Sequence, residues 1–294
     1  MLDPCRNPAA VETVRSVLAA PDGELDYLDA KLAFDRVIDP QSDEEWARNE
    51  IDVLEEGVRS LAGPDAAGDR LLGALRRHLY DPGEWNGQCP FSYDHSDPLG
   101  TSIPNSLLAI YLRRRRGNCV SMPILFLILA ERLGLDVSLA CAPLHLFVRY
   151  RADSGQMINL ETTSGGHPAR NGWYRKNMPM SDRALVNGLY LRSLNRRENI
   201  AAMAERIVEY LLKKQRAEEA IDISELLVET NPRDVHMICK QATAYAILIK
   251  TEFEDRYPQP HLIPHALRAR YAAFCRRNAE LFAHAEMLGW QPGG

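Results

Sequence analysis

The sequence predicts an α+β protein in which a small antiparallel sheet is enclosed by helices. Apolar residues recur at a helical period in the N-terminal third and again after residue 200, whereas the period changes from 3.6 to 2 between residues 133 and 137. Such a change inside an otherwise helical chain indicates strands set among helices. We therefore expect the helix content to exceed the strand content several-fold.

The composition limits the classes of protein to which the chain can belong. With 294 residues, 46% of them hydrophobic, the chain can bury a sizeable core and is long enough for more than one structural unit. A net charge of −5 argues against a nucleic-acid partner. The short basic cluster Arg113–Arg116 is best explained as a solvated helix end.

The sequence also predicts no membrane partner, no metal and no cofactor. The longest apolar run, near residues 123–130, is too short to span a bilayer, and the first residues lack the pattern of a signal peptide. The six cysteines, at positions 5, 89, 119, 141, 239 and 275, form neither a C-x-x-C motif nor ligand-like pairs with histidine. We expect a cytoplasmic protein whose thiols stay reduced.

Residues 9–79 are predicted to form three or four amphipathic helices that serve packing rather than chemistry. Asp39–Pro40 ends one helix, and Asp43 is typical of the capped start of the next, which continues to Gly63–Pro64. The last of these helices contains Leu71, Leu72, Leu75 and Leu79.

Residues 81–104 are the main irregular stretch, rich in proline and glycine. A connection of this length inside a compact domain is uncommon and is often functional. It leads into a predicted helix at residues 106–114 and then to the turn that carries Cys119. Its side chains either line a cleft or pack the loop over the core; the candidates are Trp85, Asn86, Tyr93 and His95.

Residues 113–163 carry the strongest chemical signal. A short loop delivers Cys119 to the start of an apolar helix predicted over residues 120–133. The first turn of a helix presents unpaired N–H groups and the positive end of the helix dipole, which favour a thiolate over a thiol. Cys119 is therefore a candidate nucleophile and its backbone N–H a candidate oxyanion donor. Asn118 or Asn105 could supply a second donor.

Two further residues can complete an activated nucleophile. His145 lies in the alternating segment 138–150, so we expect it on a strand beside the cysteine helix. Residues 157–162 are predicted to form the antiparallel partner, joined by a turn near residue 154, which brings Glu161 to His145. The chain then presents a nucleophile, a base and a carboxylate in that order.

Other residues near this hairpin are weaker candidates. A register shift by one residue would present Asn159 or Thr162 in place of Glu161. Residues 164–168 are predicted to form a loop beside the site, where two glycines let backbone approach a substrate or simply make a turn. His167 in this loop is a rival base. The cleft candidates of this region are Asn159, Gly165, Gly166 and His167.

The motifs of this stretch resemble those of the transglutaminase-like cysteine enzymes, which share a papain-like core. They are G-N-C at the helix start, R-L-G-L at its end, H-L-F-V-R-Y and N-L-E-T-T. The resemblance implies that Cys119 is the nucleophile, His145 the base and Glu161 the acid that orients it, where the family more often has Asp. Thr163 matches the family's Thr. The implied reaction is acyl transfer or hydrolysis at an amide or ester of a protein or peptide.

A closer resemblance covers about residues 25–166. The pieces G-x-W-N-G near Trp85, N-S-L-L-A-I-Y-L-R-R-R-R-G from Asn105 and P-L-H-L-F are similar to those of the SirB1 family of bacterial proteins. That family joins a transglutaminase-like domain to a tetratricopeptide-like tail. Many members read G-I-P-I-S-L where this chain reads G-N-C-V-S-M, and so lack the thiol. Two functions remain open, a cysteine enzyme and a non-catalytic scaffold.

The last third is predicted to consist of helical hairpins. Residues 200–213, 217–230 and 235–250 carry helical spacing, and Tyr210, Ala220 and Pro232 lie at spacings that resemble the tetratricopeptide signature. Such repeats either bind a partner or cap the catalytic core. The expected domains are a helical N-terminal region with the active-site loop (1–104), a transglutaminase-like core (105–194) and a tetratricopeptide-like region (195–294).

Overall fold

The computed structural model describes residues 8–21, 23–24, 26–98 and 100–291. Helices account for 62% of the structure, and the strands are short, which confirms the predicted α+β class. The α-helices are α1 (Pro8–Ala19), α2 (Tyr27–Ile38), α3 (Glu44–Ala62), α4 (Gly68–Tyr80), α5 (Leu108–Arg114), α6 (Ser121–Arg132), α7 (Asn171–Asn177), α8 (Asp182–Val186), α9 (Arg196–Lys213), α10 (Ala217–Thr230), α11 (Val235–Ile249) and α12 (His265–Leu288). The strands are β1 (Ser92–Tyr93), β2 (Arg116–Gly117), β3 (Val137–Ala142), β4 (His145–Arg151), β5 (Met157–Glu161) and β6 (His167–Ala169).

The chain divides into two compact units. The larger unit consists of Pro21–Pro179 and Tyr190–Met203, and the smaller of Met1–Ala20, Met180–Leu189 and Ala204–Gly294. This division runs differently from the three expected domains, because α2, α3 and α4 pack on α6 inside the larger unit. In the smaller unit, α1 packs on α10, and α11 packs on both α10 and α12.

Local capping signals set the helix bounds where the sequence predicts them. Asp43 accepts a hydrogen bond from the backbone N–H of Trp46 at the start of α3. The helix ends at Ala62, followed by Gly63 with a φ of 90°, a conformation that favours glycine. The predicted C-terminal helices agree equally well with α9, α10 and α11.

Helix α6 is the centre of the larger unit. Every residue from Ser121 to Ala130 is buried, so the helix is apolar on all sides. Helices α2, α3 and α4 and strands β3 and β4 contact it. Because these residues are buried, the start of α6 is fixed in the core, and Cys119 lies just before it.

The sheet contains one more strand on each side than the sequence predicts. Strands β3, β4, β5 and β6 are antiparallel in that order. The segment 138–150 is two strands, because the chain reverses at Pro143–Leu144 and pairs Ala142 with His145. Leu144 adopts a φ of 55°, which bulky residues rarely do, so the turn leaves little signal in the sequence. The expected loop at residues 164–168 likewise ends in a strand, since His167 pairs with Glu161.

The five cysteines in the described residues are free thiols, and Cys5 lies outside them. Among the same residues, no group of three or more histidine, cysteine or acidic side chains is arranged to hold a metal ion. No helix in the described part of the chain combines the length and apolarity needed to cross a membrane.

Candidate active site

The turn that carries Cys119 is built by a reciprocal cap at the start of α6. The Ser121 N–H donates to Asn118 Oδ1 at 3.1 Å, and the Asn118 N–H donates to Ser121 Oγ at 3.0 Å. The Met122 N–H donates to the Asn118 carbonyl at 3.1 Å, which is already a helical bond. Pro123 has no N–H for the Cys119 carbonyl, so the regular helix is counted only from Ser121. Cys119 therefore lies in the capped turn that leads into α6, two residues before the helix begins, whereas the sequence predicts it in the first helical turn.

Gly117 is required by the packing of this turn. A Cβ at Gly117 would lie 2.5 Å from Ser121 Oγ and 2.5 Å from the Tyr111 ring. The backbone can approach the cap this closely only because the side chain is absent. Glycine before Asn118 is thus part of the device that presents the thiol.

His145 bridges Cys119 and Glu161. Its Nε2 lies 2.7 Å from Glu161 Oε2, within the distance expected for an acid that orients a base. Cys119 is close enough to the ring to raise the pKa of His145, and the contact of Nε2 with Glu161 leaves Nδ1 as the nitrogen available to the thiol. The Cys119 Sγ is 3.9 Å from the Leu144 carbonyl, one residue before His145. The three side chains of the sequence prediction are therefore in contact.

Glu161 is held on both oxygens. Its Oε1 accepts from the Thr163 N–H at 3.1 Å and from Thr163 Oγ1 at 2.6 Å. Its Oε2 accepts from the Tyr174 hydroxyl at 3.1 Å in addition to His145. Tyr174 is fully buried and stacks on Phe147 with ring centroids 4.2 Å apart. The carboxylate is thus fixed in place by β5, the following turn and α7.

These contacts decide the charges of the site. Burial by itself would lower the pKa of His145, but hydrogen bonds with Cys119 and Glu161 outweigh it and raise the pKa to about 9. Burial would raise the pKa of Glu161, and the hydrogen bonds from His145 and Thr163 lower it below its ordinary value. At neutral pH the ring is therefore an imidazolium between a carboxylate and the cysteine sulfur.

A buried aspartate ties the irregular stretch to the Cys119 turn. Asp97 Oδ2 accepts from Asn105 Nδ2 at 3.1 Å and from Asn118 Nδ2 at 3.4 Å. Its Oδ1 accepts from the Thr101 N–H at 2.8 Å. Gly100 lies beside the thiol, since a Cβ there would be 3.6 Å from Cys119 Sγ. The long loop is therefore part of the site.

The structure changes the assignment of the oxyanion donors. The Asn105 amide donates to Asp94 and Asp97, and the Asn118 amide donates to Asp97 while its oxygen caps α6. The Asn105 amide thus donates both of its N–H groups within the protein, whereas the Asn118 amide donates one of its two, to Asp97 at 3.4 Å. The Cys119 backbone N–H donates to no acceptor among the described residues. It remains the candidate donor.

Trp85 and Asn86 cap a helix instead of lining a cleft. Asn86 Nδ2 donates to the carbonyls of His78 and Asp81 at 2.9 and 2.8 Å, and Trp85 Nε1 donates to the Arg77 carbonyl at 3.2 Å. These carbonyls belong to the last turn of α4 and to Asp81, the residue that follows it, so the two side chains close the end of the helix. The alternative that the loop packs over the core is thus the one observed for this pair.

The remaining candidates lie at the β5–β6 side of the site. The Asn159 amide donates to the Ala169 carbonyl and to Asn171 Oδ1, so it joins strands rather than facing a cleft. His167 Nδ1 lies 2.8 Å from an Arg76 guanidinium nitrogen. Because a guanidinium only donates, Nδ1 is the acceptor and the ring proton is on Nε2. Gly165 and Gly166 both have positive φ, 70° and 66°, and pack near Tyr80.

Two cavities open near Glu161, which lines the second of them, while its partner Thr163 lines the first. The first cavity has a volume of about 560 Å³ and is lined by Tyr80, Phe91, Ser92, Tyr93, Asp94, His95, Ser96, Arg116, Met122, Thr163 and Gly165. The second cavity, of about 490 Å³, is lined by Glu161, Ser164, His167, Pro168, Ala169, Arg170, Gly172 and Trp173. Tyr93 and His95, unlike Trp85 and Asn86, do line a cleft. Both cavities are large enough for a side chain or a short peptide segment.

Sequence reasoning missed several residues that support the site. Tyr174 and Asp97 hold the triad acid and the Cys119 turn through contacts between distant segments. Neither residue belongs to a periodic pattern or a motif, so no local signal identifies it. Gly100 could be noted only as one of many glycines in an irregular stretch.

Comparison with known proteins identifies the domain that contains this site. Residues 45–176 match the family model described as the Transglutaminase-like superfamily. The match contains Cys119, His145 and Glu161 and covers somewhat less than half of the chain. No curated protein and no solved structure matches the chain. A transglutaminase-like domain therefore occupies residues 45–176, and the predicted transglutaminase-like α+β core is confirmed.

Proposed function

We propose that the protein is a cysteine enzyme that cleaves an amide bond and passes the acyl group either to water or to an amine. Cys119 is the nucleophile, His145 the general base and acid, and Glu161 the residue that orients the imidazole. The observation that carries the proposal is the position of the His145 ring, which contacts Cys119 on one side and lies 2.7 Å from Glu161 on the other.

The first half of the reaction forms a thioester. The Cys119 thiolate attacks the substrate carbonyl carbon, and the carbonyl oxygen becomes an oxyanion that accepts from the Cys119 N–H. The His145 imidazolium gives its Nδ1 proton to the amide nitrogen, so the C–N bond breaks and an amine leaves. Glu161 keeps Nε2 protonated throughout, which makes Nδ1 the nitrogen that exchanges protons.

The second half releases the acyl group. The neutral His145 takes a proton from water or from a primary amine, which attacks the thioester and expels the Cys119 thiolate. Water gives a carboxylic acid, as in a protease or amidase, and an amine gives a new amide, as in a transglutaminase. Both reactions use the same three residues, so both belong to the proposal.

Selective alkylation tests whether the thiol is activated. We expect iodoacetamide at pH 7 to modify Cys119, which is 9% exposed, faster than the exposed Cys89. The rate should fall at least tenfold in His145→Ala, because the imidazolium that stabilises the thiolate is gone. Mass spectrometry of tryptic peptides gives both rates in one sample, with Cys89 as the internal control. Equal rates at the two thiols would refute the proposal.

Acyl transfer is tested with p-nitrophenyl acetate. We expect a burst of p-nitrophenol equal to one acetyl group per chain and a mass increase at Cys119, absent from Cys119→Ala. Adding putrescine then separates the two outcomes of the thioester. Formation of N-acetylputrescine assigns a transferase, and acetate alone assigns a hydrolase.

We extend the proposal to the finer family and to the setting of the enzyme. The SirB1-like pieces of residues 25–166, and C-terminal helices that begin near residues 199, 233 and 267, support a SirB1-type protein with a tetratricopeptide-like region. Free thiols at all five described cysteines are consistent with a reducing cytoplasm. The substrate is a protein or peptide. Sedimentation of fractionated cells tests the location.

A second function is favoured by helix α12, which suits a partner-binding scaffold. Of its 24 residues, Leu281 and Ala285 are buried, while Leu267 and Met287 are 37% and 57% exposed. Exposed apolar residues on a long helix are typical of an interaction surface. Partner capture that Leu267→Glu abolishes and Cys119→Ala leaves unchanged would support the scaffold, whereas the reverse pattern would support the enzyme.

A further inference from the structure

The basic cluster Arg113–Arg116 contains one guanidinium, that of Arg116, whose charge helps to lower the pKa of Asp94 but which makes no hydrogen bond within the described residues. Arg113 pairs with Asp43 at 3.0 Å, Arg114 donates to Asn105, and Arg115 donates to the Cys89 carbonyl at 2.6 Å. Arg116 makes no side-chain hydrogen bond or ion pair with any described residue, and it lines the first cavity. The cluster is therefore a solvated helix end in three of its members and a cavity wall in the fourth.

The second cavity repeats this arrangement. Arg170 lines it, and its guanidinium likewise has no hydrogen bond or ion pair within the described residues. Next to it, His167 turns Nε2–H outward because Nδ1 accepts from Arg76. The opposite wall is apolar, with Trp173 47% exposed and Pro168 beside it.

The carboxylates of the two cavities already accept most of the roughly four hydrogen bonds that a carboxylate can accept. Asp94 accepts from the Ser96 N–H at 3.0 Å, from Ser96 Oγ at 2.6 Å and from Asn105 at 3.1 Å. Glu161 accepts four hydrogen bonds. Each cavity thus combines such a carboxylate with an arginine whose guanidinium donates no hydrogen bond to the described residues. What a ligand must supply is acceptors, and carboxylates match the planar donor fork of arginine best.

We propose that the substrate is an acidic peptide, with glutamate side chains on both sides of the acyl group that Cys119 attacks. One carboxylate binds Arg116 in the first cavity, and the other binds Arg170 in the second. The Trp173 and Pro168 wall packs against the methylene stem, which favours glutamate over aspartate there. The inference rests on the proposed function. The chain carries a net charge of −5, so the attraction is local to these two arginines.

Binding to an inactive variant tests the inference without relying on catalysis. Fluorescein-labelled peptides with two glutamates flanking a central glutamine, and matched peptides with glutamine in their place, are titrated into Cys119→Ala by anisotropy at low salt. We expect the glutamate peptide to bind roughly tenfold more tightly, with the preference lost in 0.5 M NaCl. Adding Arg116→Gln or Arg170→Gln should each weaken the glutamate peptide about threefold and leave the glutamine peptide unchanged.

Arg151→Gln is the matched control. Arg151 is an exposed arginine of the same unit that pairs with Asp136 at 2.9 Å, and we expect its loss to change neither peptide's affinity. Equal affinities for the two peptides, or arginine variants that bind like the parent while melting at the same temperature, would overturn the inference. A glutamate preference in a protein that forms no acyl-enzyme would refute the proposed function alone. Equal acyl-enzyme formation from both peptides would refute the inference alone.

Discussion

The Glu161 carboxylate accepts four hydrogen bonds, one from a backbone N–H and three from side chains. Thr163 donates through its N–H and hydroxyl, and Tyr174 and His145 donate to the other oxygen. Burial raises the pKa of Tyr174, and the charge of Glu161 raises it further, so the phenol stays protonated. Among side chains of this shape only a carboxylate accepts on both oxygens. The site therefore needs the charge of Glu161 as well as its shape.

Glu161→Gln tests this requirement. Whichever way the amide is turned, its N–H₂ faces either the Thr163 N–H or the His145 ring. Without the carboxylate, only the interaction with Cys119 opposes the effect of burial, so the pKa of His145 falls below about 9. The imidazolium fraction at pH 7.5 then falls. We expect iodoacetamide to react with Cys119 several-fold more slowly, while the control Glu56→Gln, at an exposed position, changes nothing.

The raised pKa of His145 also predicts how stability depends on pH. The folded protein holds the imidazole proton up to about pH 9, whereas the unfolded chain loses it near 6.5. The contribution is complete below pH 6.5 and is lost as the pH rises to 9. We expect the free energy of unfolding to fall by up to roughly 3 kcal/mol over this range. Urea titrations at pH 6, 7.5 and 9 measure it, and His145→Gln should remove this part of the slope.

At the scale of elements, four residues between positions 117 and 121 shape the turn that leads into α6. Gly117 permits the close approach, Asn118 and Ser121 cap the helix, and Cys119 lies in the turn between them. The burial of the helix behind them fixes this geometry in the core. The presentation of the thiol is therefore coupled to the cap rather than to Cys119 itself.

Gly117→Ala breaks the cap without touching the triad. The new Cβ would meet Ser121 Oγ and the Tyr111 ring at 2.5 Å, which forces the turn to move. We expect a loss of roughly 1–3 kcal/mol in unfolding free energy and slower alkylation of Cys119. Gly73→Ala in α4 is the control, because a Cβ there meets nothing within 4 Å and alanine favours a helix. If Gly117→Ala alkylates as fast as the parent, the cap does not present the thiol.

Which elements the sequence reveals depends on how local their causes are. Asp43 and Gly63 bound α3 through contacts within a few residues, and the predicted bounds are correct. The reversal at Leu144 depends on a φ of 55°, which leucine rarely adopts, so the sequence does not predict it. The pairing of β1 with β2 joins Ser92 to Arg116 across the irregular stretch, and no periodic pattern in the sequence predicts this pairing. The same distinction separates the contact of His145 with Glu161, which motif order predicts, from that of Tyr174, which only the fold brings to Glu161.

At the scale of the whole molecule, the larger unit is one body rather than two. Helices α2, α3 and α4, which the sequence assigns to a separate N-terminal region, pack on α6, and α6 packs on β3 and β4. The buried pair Lys31 and Asp35 adds to this, because Lys31 donates to the Ser106 carbonyl and Asp35 accepts from the Leu108 N–H. We therefore expect the parts of the larger unit on either side of the predicted boundary between residues 104 and 105 to unfold together.

Two valines on the same helix test this cooperativity. Val58 is fully buried in α3, and Val53, on the same helix, is 59% exposed. Val58→Ala removes buried methyl groups and should cost about 2–3 kcal/mol, whereas Val53→Ala should change stability by less than about 0.5 kcal/mol. Hydrogen exchange of individual amides shows which elements lose stability. If the unit is one body, Val58→Ala lowers the protection of α6 and of β3–β5 by the same free energy as that of α3. A loss of protection confined to α2–α4 would instead support the division near residue 104 that the sequence predicts. Val53→Ala is the control for effects of a valine-to-alanine change that do not depend on burial.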